Sequence, residues 1–196
     1  RSNKFIDISD HLSGQTLNTG GVGFTGQIGS SFDHSTAAGD LNSDGIDDIV
    51  SGSNLWISNS DGRWIDRNDT IRNLLPQKSP MSLAIGDLNG DGIDDLLVLF
   101  PDFQENRIVL LNDKSSSLNF IPVDLPKGLY GSNTKDNFAL IADLDGDGLE
   151  DLAVSETRAS PYYIGSGIQL MMQKSPGVFV DESVKRIDNS KRDDVN

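Results

Sequence analysis

Residues 86–98 read GDLNGDGIDDLLV, and the chain repeats this stretch twice more, as GDLNSDGIDDIV at 39–50 and ADLDGDGLEDLAV at 142–154. Each copy contains a nine-residue loop with Asp or Asn at positions 1, 3, 5 and 9 and Gly at position 6. Alternating side-chain oxygens around a glycine turn suit a hard cation, and calcium takes about six to eight oxygen ligands. An apolar run follows each loop and predicts a β-strand.

The predicted ligands are the side chains at positions 1, 3, 5 and 9 and the backbone carbonyl at position 7. They are Asp40, Asn42, Asp44, Ile46 and Asp48; Asp87, Asn89, Asp91, Ile93 and Asp95; and Asp143, Asp145, Asp147, Leu149 and Asp151. A single loop of this kind is equally typical of a solvated hairpin turn. Three copies in one register favour a cation, because clustered carboxylates repel one another without one. The sequence therefore predicts three Ca²⁺ sites.

An EF-hand begins with the same residues but needs a bidentate Glu at position 12 and a helix on each side. Position 12 is Ser51, Val98 and Val154 in the three copies, and strand-like runs surround it. The sequence therefore disfavours an EF-hand.

A second element recurs with the loops: Phe5-Ile6-Asp7, Trp64-Ile65-Asp66, Phe120-Ile121-Pro122 and Phe179-Val180-Asp181. A period of about 50 to 60 residues built from short strands and turns is typical of a β-propeller blade. We expect an all-β protein whose blades have four antiparallel strands, with three complete blades and an extra N-terminal strand at Lys4–Ser9. We also predict that the aromatic strand residues Trp56, Trp64, Phe120 and Phe179 pack between blades.

The predicted organisation is a single β-propeller portion. Residues 1–12 form the outer strand of a preceding blade, 13–70 blade 1, 71–127 blade 2, 128–187 blade 3 and 188–196 a polar tail. In the middle unit, the four strands are predicted at Met81–Asp87, Asp95–Phe100, Arg107–Asn112 and Asn119–Val123.

The three loop stretches resemble the FG-GAP/VCBS repeats of integrin-α-type propellers. The literal Phe-Gly and Gly-Ala-Pro signatures are absent, so the resemblance is to the bacterial-style VCBS form. It implies a calcium-bearing propeller of about seven blades. Three units fall short of that number, so we expect the remaining blades from a longer chain, a partner or self-association.

Composition restricts the partners and the location. The net charge of −14 argues against nucleic acid and anionic membranes, which attract basic surfaces, and no apolar run is long enough for a membrane span. The chain has no Cys, which excludes disulfides and thiolate chemistry. Calcium loops of the weak extracellular kind favour a secreted, periplasmic or cell-surface protein.

No catalytic pattern emerges, since the two histidines, His11 and His34, lack metal-ligand spacing. Binding is expected on the loops at the end of the blades away from the acidic loops. The candidate ligand-binding residues there are Phe103, Tyr130, Arg158, Tyr162 and Tyr163, for which packing within the fold is the alternative. We expect a recognition or scaffolding module for a protein or carbohydrate rather than an enzyme; part of a polysaccharide lyase-like enzyme and an architectural repeat of a surface adhesin are the alternatives.

Overall fold

The computed structural model describes residues 35–75, 80–100, 107–114, 118–158, 160–161 and 165–188. Within this part, the chain forms three four-stranded antiparallel sheets and a few short helical turns, which confirms the predicted all-β class with four-stranded blades. The predicted N-terminal strand at Lys4–Ser9 and residues 189–196 of the predicted tail lie outside the described residues.

Each sheet is a meander whose strands follow one another in sequence order. The first comprises β1 (Thr36–Gly39), β2 (Asp48–Ser51), β3 (Asn54–Ser58) and β4 (Trp64–Asp66), with helix α1 (Asn68–Arg72) after it. The second comprises β5 (Ser82–Gly86), β6 (Asp95–Leu99), β7 (Arg107–Asn112) and β8 (Phe120–Asp124). The third follows a 3₁₀ turn (Gly131–Asn133) and comprises β9 (Thr134–Ala142), β10 (Asp151–Arg158), β11 (Ser166–Ser175) and β12 (Val178–Asp181), with helix α2 (Ser183–Arg186) at its end.

The strands predicted for the middle unit differ from those observed by no more than one residue at either end. This agreement follows from the turn residues and apolar runs that bound each strand. In all three sheets, the acidic loop joins the first strand to the second, so the three loops occupy equivalent places.

Successive sheets adjoin through their first strands, since β1 contacts β5 and β5 contacts β9. A hydrogen bond repeats at both junctions. The amide of Leu83 donates to Ser35 Oγ (2.6 Å), and the amide of Ala139 donates to Ser82 Oγ (3.2 Å). The sheets are therefore stacked like consecutive blades around a common inner edge, as in a propeller.

The middle sheet is buried on both faces. Its strand β6 is apolar throughout after Asp95, and all five of its residues are buried. Leu96 and Val98 belong to the apolar cluster shared with the first sheet, whereas Leu97 and Leu99 belong to the cluster shared with the third. Each such leucine contributes about 1.5–3 kcal/mol through its removal from water. The continuous apolar run in the sequence therefore reflects a blade with a neighbour on each side.

The outer aromatic residues divide between core and surface. Phe120 is buried in the first cluster and Phe179 packs against the second, as expected. The prediction does not hold for Trp64, which lies on the short edge strand β4 and is only half-buried. Its indole Nε1 donates to the Asp47 carbonyl (3.2 Å), so the ring lies against the first acidic loop.

A buried ionic cluster joins the second and third sheets at the end opposite the acidic loops. Arg107, at the start of β7, is 4% exposed and pairs with Asp136 of β9 and Glu156 of β10. Its Nε donates to Asp136 Oδ2 (3.0 Å), and it also hydrogen-bonds Gln169 of β11. Glu156 accepts the amide of Leu129 (2.7 Å) as well. One arginine thus holds strands from both blades.

The charges in this cluster depend on one another. Burial raises the pKa of Asp136 and of Glu156, although the Arg107 hydrogen bonds and charge act in the opposite direction. Burial alone would lower the pKa of Arg107, but the two carboxylates more than offset it and the arginine stays charged. Removal of the Arg107 side chain would leave the buried carboxylates of Asp136 and Glu156 side by side without a positive charge.

Among the described residues, no helix is both long enough and apolar enough to span a membrane.

We predict that Arg107→Ala lowers the free energy of unfolding by about 3–5 kcal/mol, because it strands two buried carboxylates. In the variant, the folded-state pKa of these acids lies above the unfolded value, so protonation favours the folded state and the deficit shrinks as the pH falls from 8 to 5. Urea unfolding of the variant and the parent at both pH values measures this. The control is Arg63→Ala, an exposed arginine in the β3–β4 turn, which is expected to change stability by less than about 0.5 kcal/mol. Equal effects of the two substitutions would contradict the assigned role.

Candidate metal centre

The first acidic side chain of each loop organises the turn that follows it. Asp40 accepts the amides of Asp44 (3.0 Å) and Gly45 (2.8 Å). Asp87 and Asp143 accept the equivalent amides in the second and third loops. The glycine at position 6 has a positive φ in all three loops, +86° in the first, which a residue with a side chain adopts only with strain. The loops therefore share one backbone conformation with their carboxylates turned inward.

The middle positions of the loops accept further amides. Asn42 Oδ1 accepts the amide of Asp44 (2.9 Å), and Asn89 does the same for Asp91. The position-5 carboxylates, of Asp44, Asp91 and Asp147, accept the amides of the position-7 residues at 2.9 Å. The Ile46 carbonyl, a predicted ligand, accepts Ser58 Oγ at 3.2 Å. These bonds account for the loop shape and leave other lone pairs of the same oxygens for a cation.

The position-9 aspartates, Asp48, Asp95 and Asp151, are fully buried at the start of the second strands. Each accepts an amide from the third strand or its end: Ser58 donates to Asp48 Oδ1 (2.7 Å), Asn112 to Asp95 Oδ1 (2.7 Å) and Gln173 to Asp151 Oδ1 (2.8 Å). They thereby fasten each loop to a strand that is not its sequence neighbour.

Burial of Asp48 and Asp95 disfavours their charged forms. Desolvation raises the pKa of Asp48 to about 6, against the hydrogen bonds from Ser58 and Leu41. It raises the pKa of Asp95 to about 7, and the nearby charges of Asp91 and Asp87 add to this rise. A nearby cation would stabilise the charged form of these carboxylates and lower their pKa values again.

One oxygen of the second loop lacks a well-formed protein hydrogen bond. Asp48 Oδ2 and Asp151 Oδ2 accept amides from Leu41 and Leu144 (both 2.9 Å), whereas Asp95 Oδ2 is buried without a hydrogen bond of good geometry, although the equivalent amide of Leu88 lies near this carboxylate. A buried carboxylate oxygen left unsatisfied costs about 1–3 kcal/mol or more. This oxygen is placed where it could coordinate a cation in the second loop.

The donor set also fits calcium in its dimensions. In the third loop, Asp143, Asp145 and Asp151 each place one carboxylate oxygen within 4.8 Å of the others. Calcium–oxygen distances of about 2.3–2.6 Å allow ligand oxygens on one ion to be up to about 5 Å apart. The first two loops have Asn in place of Asp145, which keeps the oxygen donor but lowers the charge.

Basic side chains lie near two of the loops. Arg186 of α2 donates to Asp145 Oδ2 (2.7 Å) and to Glu182 (2.6 Å), so the extra carboxylate of the third loop has a partner within its own repeat. Lys114 donates to the Asp91 carbonyl (2.7 Å), and its Nζ lies 3.6 Å from Asp91 Oδ2. Sequence reasoning missed both contacts, because they join residues far apart in the chain.

The predicted ligand-binding residues lie at the other end of the sheets where they are described. The Arg158 guanidinium is 5.3 Å from the centroid of the Tyr130 ring, a cation–π contact. The Tyr130 hydroxyl lies against Gly165, so the ring spans the end of the third sheet. Phe103, Tyr162 and Tyr163 lie outside the described residues.

Asp95→Asn is predicted to stabilise the protein in the presence of a chelator. The substitution removes a buried charge that repels Asp87 and Asp91, and the amide oxygen can still accept the Asn112 amide. We expect a gain of about 1 kcal/mol, or about 2–4 °C in melting temperature for a chain of this size.

Thermal melts in excess EGTA measure the effect of Asp95→Asn. The matched control is Asp124→Asn, an exposed position on β8, which is expected to leave the melting temperature unchanged. A loss of stability in Asp95→Asn without metal would show that the charge is needed by the fold itself.

Comparison with known proteins identifies the repeat. The sequence model of the FG-GAP-like repeat matches residues 40–98 and 87–154, which together cover more than half of the chain. Each match begins at the first aspartate of an acidic loop and ends just beyond the next loop, in its second strand. No curated protein matches the chain. With its repeated loops and four-stranded sheets, the chain belongs to the FG-GAP-like repeat family.

Proposed function

We propose that this chain is a calcium-stabilised extracellular β-propeller module, of the bacterial VCBS form, that serves recognition or scaffolding. The observation that carries the proposal is the buried Asp95 carboxylate, whose charge is disfavoured by burial and whose Oδ2 makes no well-formed hydrogen bond, in a loop that is repeated three times. The oxygen-only donors favour a hard cation. A nine-residue loop with a backbone carbonyl donor suits calcium better than magnesium, which demands a smaller and more regular shell.

The proposed ions have a structural role. In each loop, all the proposed donors come from nine consecutive residues, and the last donor is bonded to the third strand. A bound cation offsets the repulsion among the acids and so holds the first, second and third strands together. At a calcium concentration a hundredfold above the dissociation constant, one site stabilises the fold by about 2.7 kcal/mol. Three independent sites approach the net stability of a domain, about 5–15 kcal/mol.

The proposed location follows from the expected affinity. Extracellular calcium modules bind with dissociation constants of about 0.1–1 mM, which are useful only where calcium is abundant. We therefore place the protein outside the cytoplasm, as a secreted, periplasmic or cell-surface protein. Its acidity, a net charge of −14, supports partners other than nucleic acid.

The proposed ligand, a protein or a carbohydrate, binds at the end opposite the acidic loops. Tyr130 and Arg158 offer an aromatic face and a cation there, a pair common in recognition surfaces. We propose that this role is not enzymatic.

Further blades are proposed to complete the propeller, from a longer chain, a partner or a second copy. Closed propellers have about four to eight blades. The face of the third sheet that points away from the second leaves Phe138 71%, Leu140 59% and Ile168 54% exposed, which supports a missing neighbour.

We predict that millimolar calcium raises the melting temperature by more than about 10 °C over the value in EGTA, because two or three sites each add about 2–3 kcal/mol. Differential scanning calorimetry at pH 7.5 measures the shift. Magnesium at the same concentration should raise the melting temperature much less than calcium does. Asp95→Asn should lose about a third of the calcium response, whereas Asp124→Asn should keep all of it. Identical melts in EGTA and calcium would refute the proposal.

Two assays separate recognition from the lyase-like alternative. In the first, wild-type protein is incubated in calcium with uronic-acid polymers, and absorbance is used to detect unsaturated products. We expect no such products. A glycan array then compares wild type with Arg158→Ala, and we expect weaker binding of any captured glycan by the variant. Product formation would establish the enzyme, and a blank array in calcium would favour a protein ligand or the architectural role in an adhesin.

A further inference from the structure

Position 8 of the acidic loops is also acidic in every copy, as Asp47, Asp94 and Glu150, although it is not among the proposed ligands. Asp94 turns away from its own loop and crosses to the preceding sheet. Its Oδ2 accepts the backbone amide of Asp40, 54 residues earlier, at 2.9 Å. Asp40 is the first residue of the first loop and accepts two of that loop's amides itself. A carboxylate from one repeat therefore holds the starting residue of the loop before it.

The residue before each of the first two loops makes room for this crossing. A Cβ atom on Gly39 would lie 2.7 Å from Asp94 Oδ2 and 2.3 Å from Ile85 Cγ2. Gly39 does not have a positive φ, so space rather than backbone conformation requires glycine here.

The second junction has the same construction. A Cβ atom on Gly86 would lie 2.6 Å from Glu150 Oε2 and 3.1 Å from Ile141 Cγ2. Glu150 Oε2 is buried beside Gly86 without a hydrogen bond of good geometry, although the backbone amide of Asp87 lies near this carboxylate. The position-8 acid of the third loop thus reaches the start of the second loop, as Asp94 reaches the start of the first.

We propose that the position-8 carboxylate is a positioning residue for the metal loop of the preceding repeat, and that it couples cation binding by neighbouring repeats. The inference rests on the calcium sites of the proposed function. Asp94 lies between two proposed ligands, the Ile93 carbonyl and the Asp95 carboxylate, so its position depends on the conformation of the second loop. A second loop held in its binding conformation presents Asp94 to Asp40. The first loop is then ordered at lower cost and binds more tightly.

The third loop stands outside this series. Ala142 precedes it where the other loops have glycine, so a methyl group occupies the place through which a carboxylate would enter. Arg186 holds this loop from within its own repeat, through Asp145. Coupling is therefore expected from the third repeat to the second and from the second to the first.

The two tryptophans allow the first loop to be observed selectively. Trp56 and Trp64 are the only tryptophans of the chain and both lie on the first sheet, with Trp64 bonded to Asp47 of the first loop. Terbium, which takes the oxygen ligands of calcium, emits when a nearby tryptophan is excited. Sensitised emission from the full chain is therefore weighted towards binding at the first loop, which Trp64 contacts directly.

We expect Asp94→Ala to raise the terbium concentration for half-maximal emission by about 5- to 20-fold. The matched control is Asp47→Ala, which removes an exposed position-8 charge from the first loop itself and is expected to raise it by less than about threefold. Asp94→Asn, which keeps an acceptor oxygen, should recover most of the affinity. Equal effects of Asp94→Ala and Asp47→Ala would overturn the proposal.

A second pair tests the same contact without a change of charge. Gly39→Ala pushes the Asp94 carboxylate away and should weaken terbium binding as Asp94→Ala does, whereas Ala142→Gly in the third repeat should not. Circular dichroism in saturating calcium confirms that each variant is folded. Gly39→Ala with wild-type affinity would also overturn the proposal.

Coupling is tested by a double-mutant cycle. Asp91→Ala, which removes a proposed ligand of the second loop, should weaken terbium binding at the first loop, and the double variant Asp91→Ala/Asp94→Ala should bind no more weakly than Asp94→Ala alone. Additive effects would contradict coupling through Asp94. Wild-type protein without sensitised emission or a calcium-dependent melt would refute the calcium function and this inference together, whereas normal wild-type emission that Asp94→Ala leaves unchanged would refute the positioning role alone.

Discussion

A buried carboxylate at the start of the second strand of every sheet constrains the rest of the structure. Asp48, Asp95 and Asp151 are removed from water and fastened to amides of the third strand, so they determine where the acidic loop lies over its sheet. The same burial makes the charges of Asp48 and Asp95 costly, which is why the pKa of Asp48 rises to about 6 and that of Asp95 to about 7. The loops thus combine a rigid backbone with an unfavourable accumulation of negative charge, and a divalent cation is the simplest way to relieve it.

Contacts between sheets transmit this constraint along the chain. Near the acidic loops, the first strands approach closely enough for Asp94 to reach Asp40, with only glycine tolerated between them. At the other end, Arg107 joins the second and third sheets through Asp136 and Glu156. Apolar clusters lie between these polar contacts. The first junction thus has a polar contact near the acidic loops and the second has one at the opposite end, each beside buried apolar surface, and together they specify how one blade is placed on the next.

The third sheet departs from the first two on its outer face. The serine that accepts an amide from the next sheet, Ser35 in the first and Ser82 in the second, is replaced by Phe138, and the glycine before the loop is replaced by Ala142. This face is apolar and exposed, but it lacks the two features by which the first two sheets receive a neighbour. A neighbour packed on this face would therefore make a different set of contacts.

Much of the fold could be predicted from the sequence because its signals are local. Turn residues and apolar runs placed the strands of the middle unit to within one residue, and the repeat of the loops indicated their equivalence. Asp94, Glu150 and Arg107 could not be assigned in this way, because their partners lie in another sheet and depend on the distance between blades. An acid at position 8 of all three copies was a signal in the sequence, but its target was not. The prediction for Trp64 is wrong for a similar reason: its burial depends on the neighbouring sheet, and a residue on a short edge strand is only partly covered.

The sequence by itself determined the four-stranded unit and the three acidic loops, and it supplies every proposed cation ligand, since each proposed set lies within nine consecutive residues. Only the tertiary structure decided which acids contact a neighbouring loop, that Arg107 is buried between two sheets, and which sheet face remains exposed. These properties depend on how closely whole sheets approach one another. That approach results from apolar surface buried on both faces of the middle blade, which no local pattern encodes.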